Sequence, residues 1–352
     1  MFVPYRAAFA TFAIGATLLL GACAKSANTS SSTSVVATTP KVRIGMVTDT
    51  GGLGDRSFND SAYAGLNAAK AQLGAETQVL QSRSAADYQP NLTVLANKDF
   101  DEIFAIGFLM AKDTNEVASR FPKRHFAIID AIADQPNVAS VTFREEQGSF
   151  LAGAAAALVS KTHSLAFLGG VDIPLLRKFE AGFSAGAKQI DPNVKISVKY
   201  TGSFDDVAAG KELSGVLFNA GADIIFVAAG KAGLGAIDQV KTRPNAFVIG
   251  VDSDQDSLAP GKILTSMVKR VDVGVLTLAR EVAAQKPPSG HLELGLKDNA
   301  IGLTSFKYTK SSMTPDRIAK IDALRTAIIA GQITPPATRE ELAQFKPVAL
   351  KP

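Results

Sequence analysis

From Lys41 onward, short apolar, β-branched runs alternate with longer stretches of helical periodicity, and this rhythm sets the class of fold before any motif is considered. The runs 42–49 (VRIGMVTD), 77–81 (TQVLQ), 101–108 (DEIFAIGF), 125–131 (HFAIIDA) and 138–143 (VASVTF) have the length and composition of strands. Helical stretches at 57–73, 87–97 and 111–121 separate the first four. In the first of these helices Phe58, Ala62, Leu66, Ala69 and Leu73 share a face, and Ser57 or Asp55 stands where an N-cap belongs. Strands separated by helices of this length form βαβ units and a parallel sheet. The rhythm restarts at 144, with helices at 144–160, 174–190, 206–220 and 231–241 and strands at 164–170, 195–202, 222–230 and 246–252. Residues 262–270 read as a strand that crosses back, 272–285 as a helix, 292–306 as a β-hairpin around Asp298-Asn299, and 314–330 as a closing helix. The prediction is an α/β protein of two doubly wound parallel-sheet lobes. One lobe takes residues 41–143 plus 271–308 and the other 144–270 plus 309–352.

The first 40 residues do not share this rhythm. Arg6 precedes an apolar run from Ala7 to Leu20, the layout of a secretory signal peptide over residues 1–22. The run is short of the ~20 residues that span a bilayer. Leu20-Gly21-Ala22-Cys23 has the form of a bacterial lipobox, and Cys23 is the only cysteine of the chain. Lipidation of Cys23 would anchor the protein at the extracytoplasmic face of the cell membrane. Residues 24–40 hold nine Ser or Thr among 17 and read as a flexible linker, because they have too little apolar surface to bury.

A single cysteine excludes a disulfide framework and a cysteine-based zinc cluster, and three histidines far apart in sequence argue against a histidine-rich metal site or a histidine relay. The charge, 37 basic against 33 acidic residues, is spread along the chain, unlike the clustered stripe of a nucleic-acid-binding protein. Hydrophobic residues at 46% fit a globular body rather than a disordered chain.

Ligands of open parallel sheets bind beyond the carboxyl ends of the strands. Those ends are polar or glycine-rich here: Thr48-Asp49, Gly107, Asp130, Gly169-Gly170, Gly202-Ser203-Phe204, Gly230 and Asp252. The richest is TDTGGLGDRSFND (48–60), whose glycines allow close backbone approach and which runs into a helix N-terminus. Phe58 and Asn59 in that first turn would meet a planar ring by its face and its edge.

The segment DTGGLGDRSFNDSAYAGL resembles the signature of the basic membrane protein family of bacterial lipoproteins, which includes purine nucleoside receptors. The resemblance continues through PLLRKFEAGFSAGA (174–187), YTGSFDD (200–206), DIIFVAAG (223–230), IGVDSDQ (249–255) and LTSMVKRVD (264–272). It implies a periplasmic-binding-protein type I fold with a hinge between the lobes. It also implies a monomeric binding protein that hands nucleosides to an ABC transporter permease without a cofactor. By the same resemblance Phe58 and Phe204 hold a nucleobase between them, Asp49 and Asn59 bond its edge, and Asp130, Asp252, Lys269 and the backbone at Gly230 meet the ribose. Phe179 is either a wall of this cleft or a core residue of its helix. Asp254 could stand in for Asp252, and Asp205 and Asp206 suit helix caps better than ligand contacts. Two positions depart from the family pattern: Lys231 follows Gly230 where a second glycine is common, and Gly54 replaces a larger residue.

A dinucleotide-dependent enzyme is the chief rival. Glycines at 230, 233 and 235 follow a strand, but their order is G-x-x-G-x-G, not the G-x-G-x-x-G that brings a pyrophosphate close to the backbone. A sugar or another small polar ligand on the same fold is the second alternative, and a sensor that does not transport is the third.

Overall fold

The computed structural model describes residues 41–349, and the expected signal peptide, lipidated Cys23 and flexible linker fall outside the described residues. The first sheet is laid down by β1 (Arg43–Thr48), β2 (Glu76–Gln81), β3 (Glu102–Ile106), β4 (His125–Ile129) and β5 (Val138–Phe143). α1 (Phe58–Leu73), α2 (Tyr88–Asn97) and α3 (Ala111–Arg120) are its crossovers. α4 (Glu145–Val159) opens the second lobe. There β6 (Ser164–Gly169), β7 (Lys195–Tyr200), β8 (Ile224–Ala228), β9 (Phe247–Asp252) and β10 (Ile263–Lys269) alternate with α5 (Pro174–Ile190), α6 (Val207–Asn219) and α7 (Gly233–Val240). α8 (Val271–Ala283) returns to pack on α1. β11 (Gly290–Leu294), β12 (Ile301–Leu303), α9 (Pro315–Ile329) and α10 (Arg339–Gln344) complete the chain.

The sheet orders are β11-β5-β4-β3-β1-β2 and β12-β10-β9-β8-β6-β7. All pairings are parallel except β12 with β10. Central strands such as β3 and β8 are buried along their whole length and are apolar apart from Glu102 at the start of β3, whereas the edge strand β7 alternates exposed and half-buried residues.

The hairpin expected at 292–306 does not form. β11 pairs with β5 in the first sheet and β12 with β10 in the second. The chain therefore leaves the first lobe between residues 294 and 301, ahead of the boundary expected at 308. A short turn with apolar flanks says nothing about which sheet each flank will join. The run at 262–270 is likewise an inner strand of the second sheet, and the chain crosses back only at α8.

α4 and α5 form the tightest helix pair, and the small residues of both explain it. A Cβ at Gly153, Gly182 or Gly186 would collide with the backbone carbonyl of Phe183, Glu146 or Phe150 on the facing helix. Ala152, Ala154, Ala155 and Ala156 of α4, buried with these glycines, fit a close helix contact rather than a weak amphipathic face.

Candidate functional site

In each sheet the strand order reverses beside the first strand of the lobe: β1 lies between β2 and β3, and β6 between β7 and β8. Crevices open at such switch points. The two crevices meet in one cavity between the lobes. Asp49, Phe58, Asn59, Asp130, Phe179, Phe204, Gly230, Asp252 and Lys269 all line it. So do Asp55, Phe108 and Lys231.

Each lobe sets an aromatic ring over a strand-end glycine. A Cβ on Gly107, after β3, would sit 3.5 Å from the Phe58 ring, and one on Gly170, after β6, would collide with the ring of Phe204. Phe108, which the strand-end pattern did not single out, meets Phe204 edge-on at 6.4 Å between centroids and 72° between planes. Its signal was available, since it directly follows Gly107, the glycine just beyond β3. Phe179 is only 3% exposed and tilts against Phe226 at 6.4 Å, so it is a core residue that also reaches the cavity wall.

Asp55, rather than Ser57, caps α1. Its carboxylate accepts from the backbone N–H of Ser57, Asn59 and Asp60 and from Asn59 Nδ2. Ser57 donates instead across the cleft to Asp252 Oδ2 at 2.6 Å. Asp206 caps α6 through the N–H of Ala209, as its position implied.

The amide of Asn59 is pinned by charge. Its Nδ2 donates to Asp49 Oδ1 at 2.8 Å and to Asp55 Oδ2 at 3.1 Å, so only the carbonyl oxygen is left over. That oxygen is buried and makes no hydrogen bond among the described residues. The same holds for Oδ1 of Asp130, whose Oδ2 accepts from Lys269 Nζ at 2.6 Å. Buried acceptors without donors are uncommon and cost free energy. Two of them in one lobe's share of the lining mark a site that expects N–H or O–H groups from outside the protein.

Asp130 and Asp252, at the ends of β4 and β9, both hold φ in the left-handed region (69° and 62°). Aspartate tolerates this conformation better than most residues, and it turns each carboxylate out of the strand direction. Burial pushes Asp252 up to about 6 despite the nearby ammonium of Lys269. Burial likewise pushes Asp49 up to about 6 against the pull of Asn59 and the Gly51 N–H. Lys269, at the end of β10, is buried at 2% exposure. Burial alone would lower its pKa, but Asp130, Glu145 and Asp252 outweigh that and hold it above its ordinary value. Gly230 opens a 3₁₀ turn with φ 54°, and the turn is tied to Phe204 by the Ala232 N–H.

The lining holds no histidine or cysteine, and among the described residues no group of acids, histidines or cysteines is arranged to hold a metal ion. No helix among the described residues is long and apolar enough to cross a membrane. The cavity offers acceptors, two aromatic faces and a fixed ammonium, which is equipment for holding a molecule.

Residues 41–338 match the family described as ABC transporter substrate-binding protein, PnrA-like. A CD4+ T-cell-stimulating antigen of Listeria monocytogenes is 36% identical over 345 residues, covering 92% of this chain and 96% of that one. The ABC transporter nucleoside-binding protein BmpA of Lactococcus lactis is 33% identical over 352 residues, covering 94% and 98%. A solved ABC transporter solute-binding protein of Aeropyrum pernix superposes with a TM-score of 0.80 at 27% identity, over 86% of this chain and 96% of its own.

Proposed function

The chain belongs to the family of PnrA-like ABC transporter substrate-binding proteins, and we propose that the molecule it captures is a nucleoside, most naturally a purine nucleoside. Proteins of this kind bind and deliver a solute and do not transform it. The observation that carries the nucleoside reading is the pairing of an aromatic ring from each lobe with free acceptors in the same cavity. Phe58 and Phe204 would flank the base, where stacking contributes roughly 1–3 kcal/mol per base. Asn59 Oδ1 and Asp49 would accept N–H groups from the base edge. Asp130 Oδ1 and Asp252 would accept the hydroxyl protons of the ribose, with Gly230 presenting backbone and Lys269 a donor. Phe179 supports this arrangement from behind Lys269.

Capture would follow from closure. Ser57 to Asp252, Gln255 Nε2 to the Arg56 carbonyl and Lys269 to Asp130 join the lobes directly. A ligand that adds contacts to both lobes shifts the population toward this closed form, and a permease would read that form. We read the protein as a monomer tethered through a lipid on Cys23.

Isothermal titration of the full chain with inosine, guanosine, adenosine, ribose and glucose tests the reading. A purine nucleoside should bind, and Phe58→Ala and Phe204→Ala should each weaken it roughly 10–100-fold, the equivalent of one lost stacking face. Binding of a free sugar but of no nucleoside would move the assignment to a sugar receptor. Unchanged affinity in both variants would remove the stacking model.

A further inference from the structure

Glu145 does not line the cavity, yet it touches the charge that does. The first residue of α4, it is 0% exposed. Its Oε2 accepts from Lys178 Nζ at 3.3 Å, and the same ammonium donates to the Phe143 carbonyl at 3.1 Å. Its Oε1 lies 3.5 Å from Lys269 Nζ and makes no hydrogen bond among the described residues. Lys269 Nζ is therefore held between two carboxylates, Glu145 behind it and Asp130 in the cavity wall. The rings of Phe58, Phe143 and Phe179 stand 4.9, 5.4 and 5.5 Å from it and enclose it on other sides. Asp130 comes from the first lobe and Lys269 from the second, while Glu145 begins the helix that follows the crossing between them.

We propose that Glu145 is a positioning residue for ligand capture. Ionised, it shares the Lys269 ammonium with Asp130, which leaves the Asp130 carboxylate a stronger acceptor of ligand hydroxyl protons; protonated, it leaves the ammonium to Asp130 alone. The ligand chemistry in this statement rests on the nucleoside reading, whereas the placing of the ammonium does not. The charged groups facing Glu145 are Lys178 from α5, Lys269 from β10 and Asp130 from the end of β4, with Asp252 at the end of β9 acting on the same ammonium. Burial pushes Glu145 up to about 7, with Lys269 pulling down and Asp130 pushing further up. The change of state therefore falls at neutral pH, with capture favoured on the alkaline side.

The test uses the full chain in two measurements. In ligand-free protein labelled with ¹⁵N-lysine, the Lys269 Nζ resonance should move with a midpoint near pH 7, and this step should vanish in Glu145→Gln and persist in Glu145→Asp. Inosine affinity measured well above neutral pH should fall roughly tenfold in Glu145→Gln, the scale of one charge-assisted hydrogen bond, and Glu145→Asp should recover part of it. Glu145→Gln should also lose the portion of the affinity profile centred near pH 7 while keeping the portion near pH 6 that belongs to Asp49 and Asp252. A Lys269 resonance that does not titrate near pH 7 in the wild type, or that still does so in Glu145→Gln, overturns the proposal. If the wild type binds no nucleoside, the nucleoside reading fails by itself and the ammonium titration still decides the role of Glu145.

Discussion

Asp49 and Asp252 keep their protons to about pH 6 and Glu145 to about 7, because burial disfavours their charged forms. In the unfolded chain each would ionise nearer its ordinary value of 3.8 or 4.5. The folded chain thus binds more protons than the unfolded one across that window, and ligand-free stability should fall as pH rises through it. Lys269, raised rather than lowered, contributes stability that is fully present throughout this range and is lost only in strong alkali. Ligand N–H and O–H donors favour the ionised carboxylates, so affinity should rise over the same interval. Thermal melts and titrations between about pH 5 and 8 should therefore run in opposite directions. Parallel trends would show that these carboxylates do not meet ligand donors. Much of this residue-level picture is legible in sequence, because strand ends are identifiable and a parallel sheet gathers them. Asp49, Asp130, Gly230 and Asp252 are found that way. Asp55 and Glu145 are not assigned these roles that way. The carboxylate of Asp55 acts by pinning an amide, and that of Glu145 by holding an ammonium, and such relations exist only once the helices are packed.

The helix pair α4–α5 shows what an element-scale pattern conveys. Periodicity gives the bounds of both helices to within a residue or so, yet the run of Ala and Gly in α4 has no strong amphipathic stripe to say what it packs against. The packing gives the reason: the two backbones approach so closely that only the smallest residues fit at Gly153, Gly182 and Gly186. Gly186→Val should force the Phe150 carbonyl aside and destabilise the chain by about 1–3 kcal/mol, with the melting temperature falling accordingly. A valine at Gly302, where a Cβ meets nothing within 4 Å, is the matched control and should leave the melt nearly unchanged. Equal losses at both positions would mean that the seam can relax. The failed hairpin at 292–306 is the opposite case. Its strands are correctly apolar, but pairing with β5 and β10 is a long-range choice that local pattern does not encode.

For the whole molecule, the lipid anchor we propose on Cys23 falls within the first 40 residues. Cys23→Ser should release the protein from membranes into the soluble fraction without altering the ligand affinity of the body. Retention of the variant on membranes would refute the lipid anchor. The body itself carries a constraint of a different kind. Its backbone passes from one sheet to the other after β5, after β10 and again between β11 and β12, so neither lobe is an unbroken stretch of chain. During synthesis the first sheet must wait for β11 to emerge before its outer strand is in place, with the inner strands of the second lobe already made. A fragment ending after β5 but before residue 290 thus carries an unfinished first sheet with β5 as an open edge, a surface that recruits other chains. The late return of one five-residue strand makes the emergence of β11, rather than of the first half of the chain, the event that covers the β5 edge.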